Sequence, residues 1–98
     1  MPTAVTKPKI GKVVEMLDAL AAKAGDISGS EFTAAVSEAA RAYPAGETAF
    51  FHSVARLCRT APGTVSRWRE GWVRPAGAAR KAILKNISDE LYRHVKFI

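Results

Sequence analysis

The chain has a single cysteine, Cys58, so no internal disulfide can staple it. Its only imidazoles are His52 and His94, no metal-ligand spacing emerges, and neither metal nor cofactor is expected. The core alone must hold the fold. No Asn-Gly or Asp-Gly hairpin signal occurs, and β-branched residues never form a long alternating run, which leaves strands without support. Apolar stretches fall far short of a membrane span, and the opening "MPTAVTKPKIGK" lacks the apolar block of a signal peptide. A cytoplasmic protein with no membrane partner is therefore expected. His52, Ser53 and Cys58 share one segment, but their spacing does not put a nucleophile and a base on one face beside an orienting group. No glycine loop suited to cradling phosphate is present either, so catalysis is not expected and no catalytic residue is assigned.

What the chain does have is alanine in abundance, 48% hydrophobic and 24% charged residues over 98 positions, enough for one helical domain and too little for two. Its excess positive charge is local. Residues 1–30 carry +1, residues 31–58 carry −1, and residues 59–98 carry +6. Within 59–81, Arg59, Arg67, Arg69, Arg74, Arg80 and Lys81 stand against Glu70 alone, a net +5. Such a cationic surface suits a polyanion.

Residues 1–9 read as a loose arm, and residues 10–98 as one helical domain. Ile10, Val13, Val14, Leu17, Leu20, Ala21 and Ala24 recur at helical steps, predicting a first helix over about 10–24 that Gly25 ends. Ser28 and Glu31 stand in capping-box register before a second, about 31–42, and Pro44 stops it. Thr48 is the expected cap of a third helix, "AFFHSVARLCR", with Phe50 or Phe51, Val54, Ala55 and Cys58 inward. Pro62 opens a fourth, 62–70, after a cap at Thr60 or Ala61, and Gly71 closes it. "AARKAILKNI" reads as a fifth helix, and Ser88 with Asp89 and Glu90 as the start of a sixth, "DELYRHVKFI". The apolar terminal residues Leu91, Tyr92, Val95, Phe97 and Ile98 suggest a dimer interface.

Two short helices joined by about three residues, "FFHSVARLC" and "PGTVSRWRE", have helix-turn-helix spacing. Steps of about 100° put Ala61, Val65, Trp68 and Trp72 on one side of the second, with Gly63, Ser66, Arg67 and Glu70 pointing away. Trp68 reads as core; Trp72 is expected to pack over the next helix, with a phosphate contact or plain exposure as alternatives. Ala55, "GTVSRWREG" and the following "VRP" together resemble the lambda-repressor-like, Cro-type (XRE) helix-turn-helix domain. The resemblance covers residues 30–98, with the motif at 49–71 and the first helix as an extra element. It implies an all-α, five-helix DNA-binding fold with that N-terminal addition.

The resemblance further implies that helix 62–70 enters the major groove of double-stranded DNA. Pro62, Gly63, Ser66, Arg67 and Glu70 would face base edges, with Arg67 suited to guanine O6 and N7. Arg59, Thr64, Arg69 and Arg74 would contact phosphates. A homodimeric transcriptional regulator of a bacterium, phage or plasmid, cytoplasmic at the nucleoid, is the implied function; "SRWREGW" also resembles the recognition segment of lambda-type phage activators, so activation stands beside repression. The rival reading is a protein-interaction module on the same fold, an antitoxin or antiactivator, with a partner on the N-terminal helix. Three positions depart from the family pattern. Arg59 stands where a turn glycine is expected, Thr60 where an apolar turn residue is expected next, and Phe51 where a phosphate-touching glutamine is common.

Overall fold

Leu84, Ile87 and Leu91 repeat at steps of three and four residues and supply an apolar stripe long enough to line a helix. In a computed structural model, which describes residues 10–23, 25–72 and 75–95, all three are fully buried on one continuous helix of 19 residues, Gly77–Val95. It is the last of five: α1 (Ile10–Ala21), α2 (Gly29–Ala42), α3 (Glu47–Cys58), α4 (Pro62–Glu70) and α5 (Gly77–Val95), with no strand among the described residues. The expected arm 1–9, the phosphate contact Arg74, and Phe97 and Ile98 of the suggested dimer interface lie outside the described residues, as does the side chain of Val95.

Among the described residues the expected fifth and sixth helices are one continuous helix, α5. Ser88 sits inside α5, buried, and its hydroxyl donates to Asp18 Oδ1 at 2.5 Å. A break there would divide the apolar stripe, and the hydroxyl that signals a cap has found a partner on α1 instead. Leu91 is consequently a core residue, unavailable to a dimer interface; of that set Tyr92 is the exposed member among the described side chains, at 55%.

α1 is a wall of the core, not an addition to it. Val13, Val14 and Leu17 are buried, and α1 packs along α5 more extensively than any other two helices meet. It ends at Ala21, three residues earlier than its periodicity predicts. Lys81 Nζ donates to the Lys23 carbonyl, just past that end. α2 begins at Gly29 after the predicted capping box: Glu31 N–H donates to Ser28 Oγ at 3.0 Å, and Ser28 N–H to Glu31 Oε1 at 2.8 Å. The latter bond, then Lys23 at 2.9 Å, holds the Glu31 carboxyl below the usual carboxylate range. Thr48 does not cap α3. Gly46, at φ 96°, takes a conformation closed to most side chains and lets the helix start at Glu47, leaving Thr48 exposed in its first turn.

The packed interior joins Leu17, Ile27, Phe32, Val36, Phe50, Val54 and Val65 to the α5 stripe, each such side chain stabilising by about 1.5–3 kcal/mol. One polar cluster penetrates it. Tyr43, buried at the end of α2, donates its hydroxyl to Glu90 Oε2 at 2.6 Å and lies 3.1 Å from Ser53 Oγ. With the phenolic proton committed to the carboxylate, Ser53 is the donor in the second bond. Arg93 meets the other Glu90 oxygen at 3.0 Å, and His94 lies 3.6 Å from Oε2. Burial, then the Glu90 carboxylate, pushes the Tyr43 phenol above its ordinary value.

Tyr43→Phe should cost about 1–3 kcal/mol in urea unfolding, because it strips a buried carboxylate of its shortest hydrogen bond; an unchanged midpoint would show that Arg93 and His94 satisfy Glu90 alone. For Glu31, a depressed folded pKa means stability that is present above the unfolded value and lost as pH falls through the lower folded one. Glu31→Gln should therefore flatten the acid limb of the stability curve below about pH 4. Superimposable acid limbs for the two proteins would reject that contribution.

Candidate functional site

The short helix α4 is fixed in place by two side chains. Val65 is fully buried, and Trp68 lies edge-on to Phe32 of α2, with ring centroids 5.9 Å apart. Two polar ties reinforce this seat: Arg69 meets Glu47 Oε1 on α3 at 3.0 Å, and Ser37 Oγ donates to the Arg69 carbonyl at 3.4 Å. α4 begins with Pro62 in its first turn, after Ala61, and ends on Gly71 at φ 81°. Ala61 is exposed, contrary to its predicted inward position, because it lies in extended backbone before the helix begins.

With that inner face buried, the opposite one meets solvent. Gly63, Arg67 and Glu70 are exposed, and Pro62, Thr64 and Ser66 are half-buried at its margins. Arg67 makes no ion pair among the described residues. A Cβ added at Gly63 would meet nothing within 4 Å, and its φ is not positive, so neither packing nor backbone conformation requires glycine there.

α3 reaches α4 through Arg59, Thr60 and Ala61. Arg59 adopts the left-handed conformation at φ 54°, ψ 50°, and Thr60 N–H donates to the Ala55 carbonyl at 2.9 Å. The turn therefore keeps the geometry a glycine would provide, at a strain of about 1 kcal/mol. The Arg59 side chain is exposed. Arg56, one turn earlier on α3, is also exposed and without an ion pair among the described residues. Sequence reasoning missed it because Arg56 falls in the net-acidic span 31–58, outside the basic segment that begins at Arg59, although it lies off the inward register of Phe50, Val54 and Ala55.

Not every cation of the basic segment serves the surface. Arg80 donates to the Pro75 carbonyl at 2.9 Å and to the Ile27 carbonyl at 2.8 Å, joining the loop after α4 to the loop before α2. Arg69 is engaged by Glu47, so a phosphate contact there would have to share the guanidinium with that carboxylate. Among the described residues of α3, α4 and the turn between them, the exposed cations without an ion pair are thus Arg56, Arg59 and Arg67.

Trp72 does not pack over α5; it is 78% exposed. An open cleft of about 530 Å³ between the end of α3 and the first half of α5 is lined by Leu57, Cys58, Trp68, Ala79, Ala82 and Ile83, with Arg59, Thr60 and Asn86 as its polar members. Leu57 is 42% exposed at this cleft. Burial pushes the Cys58 thiol up, and the Asn86 amide lies 4.0 Å from its sulfur, so it is a partly buried packing residue and a poor nucleophile.

Among the described residues no cluster of His, Cys, Asp and Glu could hold a metal ion, and no helix is long and apolar enough to cross a membrane. No family model, curated protein or solved structure matches the chain significantly. The outer face of α4 must be interpreted from its own chemistry.

Arg59→Gly should leave stability unchanged or raise it by up to about 1 kcal/mol, since relief of the left-handed strain is offset in part by a freer unfolded chain. A loss above that magnitude on chemical denaturation would mean that the Arg59 side chain makes a stabilising contact of its own.

Proposed function

We propose that the chain is a sequence-specific double-stranded DNA-binding regulator that reads the major groove with α4. The observation that carries this reading is the division of α4 into an anchored face, Val65 and Trp68, and a small, polar, outward one, Gly63, Ser66, Arg67 and Glu70. A helix about 10–12 Å across with its side chains fits the roughly 12 Å width of the major groove, and the small residues of this face keep α4 at the slim end of that range. Gly63, with open space above it, lets the helix approach base edges without a side chain intervening. Arg67 supplies the paired donors that match guanine, and Ser66 offers a donor or an acceptor. Arg59, with Arg56, is available to phosphates on the α3 side. The resemblance of "GTVSRWREG" to the Cro-type helix-turn-helix pattern supports the same assignment, and with it a homodimer on two half-sites about one DNA turn apart. Leu91, being in the core, takes no part in pairing two copies.

A protein-interaction module of the antitoxin or antiactivator kind remains the second reading. The feature favouring it is the cleft beside exposed Leu57; α1 exposes Lys12, Glu15, Asp18 and Ala19, a mostly charged set.

Selection from a random duplex pool with the purified protein tests the proposal. Enrichment of a defined half-site is expected, and Arg67→Ala should relax preference at one base position at a cost of about 1–3 kcal/mol. Gly63→Glu should abolish binding while leaving the helical content and unfolding midpoint close to those of the parent, because it puts an anion at the groove face without a clash in the protein. A pool that returns no preferred sequence, together with full affinity in Gly63→Glu, rejects the docking of α4.

A further inference from the structure

Trp72 is the largest exposed apolar side chain among the described residues, at 78%, and a tryptophan left in water forgoes most of the stabilisation its burial would provide. The ring does not line the open cleft that Trp68, Ala79 and Ile83 share. Its backbone, by contrast, is firmly held. Trp72 N–H donates to the Arg67 carbonyl at 3.0 Å and Gly71 N–H to the Trp68 carbonyl at 3.2 Å, a pair of bonds that closes the end of α4. The indole is therefore presented from a rigid platform tied to the same residue, Arg67, that projects from the outer face.

We propose that Trp72 lays its ring against the sugar–phosphate backbone of double-stranded DNA and donates its indole N–H to a phosphate. This rests on the proposed docking of α4. With the N-terminal half of α4 against base edges, a residue just beyond its last turn lies past those edges, where the neighbouring sugar–phosphate backbone is the surface within reach. The ring matches that position chemically: an apolar face covers the deoxyribose, and a single donor without charge reaches a phosphate oxygen. A rigidly held backbone also means that little chain ordering remains to be done on contact. Because the contact touches no base, it adds affinity on every sequence alike.

The chain has only two tryptophans, Trp68 buried and Trp72 exposed, so the emission lost in Trp72→Phe belongs to Trp72. Wild type, Trp72→Ala, Trp72→Phe and Arg67→Ala would be titrated against a selected duplex, a scrambled duplex and a single strand, with fluorescence and anisotropy recorded together. Trp72→Ala should weaken binding to both duplexes by about tenfold, with an unchanged ratio between them and an unchanged thermal midpoint. Trp72→Phe, which keeps the apolar face and loses the donor, should fall between the two. Wild-type emission should change on adding duplex, and that of Trp72→Phe should not. If wild type binds duplex and Trp72→Ala binds equally well, the contact is absent while the docking of α4 stands. A changed ratio between the duplexes in Trp72→Ala would overturn a backbone contact in favour of a base contact. Tighter binding of wild type to the single strand, lost in Trp72→Ala, would replace the proposal with base stacking. Wild type that binds no duplex at low salt would overturn both this contact and the function on which it rests.

Discussion

The edge-on packing of Trp68 against Phe32 decides how α4 can be used. A helix of nine residues has too few backbone hydrogen bonds to persist on its own, so its existence and its rotation about its axis both depend on what it buries. Val65 and Trp68 fix that rotation, and Arg69 with Glu47 limits its travel relative to α3. The outward projection of Arg67 and the exposure of Gly63 follow from that anchoring. A change in the shape of the Phe32 pocket would thus be felt at the surface face without touching any residue on it.

Basic charge in the sequence proves to be of two physical kinds. Arg80 and Lys81 donate to backbone carbonyls left at loop ends, and Arg69 neutralises the first-turn carboxylate of α3, so these cations close the fold. Arg56, Arg59 and Arg67 face solvent without a carboxylate partner among the described residues and form the surface component. A guanidinium with several donors in a plane serves either purpose, and nothing in composition separates them. The separation comes from which loops the tertiary fold brings within reach.

Local signals were legible where a short stretch settles the matter. Ser28 with Glu31, Pro62 and Gly71 mark helix ends through capping chemistry involving only near neighbours, and the structure places those ends accordingly. The burial of Trp68 and Val65 followed from helical angle alone. Ser88 was misread because its cap signal competes with a stripe, Leu84 to Leu91, that is rewarded only when α1 folds onto it from some seventy residues away. Thr48 failed for a similar reason: the conformation of Gly46 started the helix before a side-chain cap was needed. The exposure of Trp72 was equally beyond local pattern, since its helical angle ceases to apply once Gly71 turns the chain. At the candidate site, the outward set on α4 was readable and the diversion of Arg69 and Arg80 was not.

Gly63 shows how stability and use can pull in opposite directions. An alanine at this exposed helical position would meet no atom and would stiffen the backbone, favouring the helix by roughly 0.5–1 kcal/mol. A sequence tuned for thermal persistence alone would carry that alanine. The glycine instead leaves bare peptide on a helix otherwise tightly seated, and so keeps the first turn of α4 the thinnest part of its outer face.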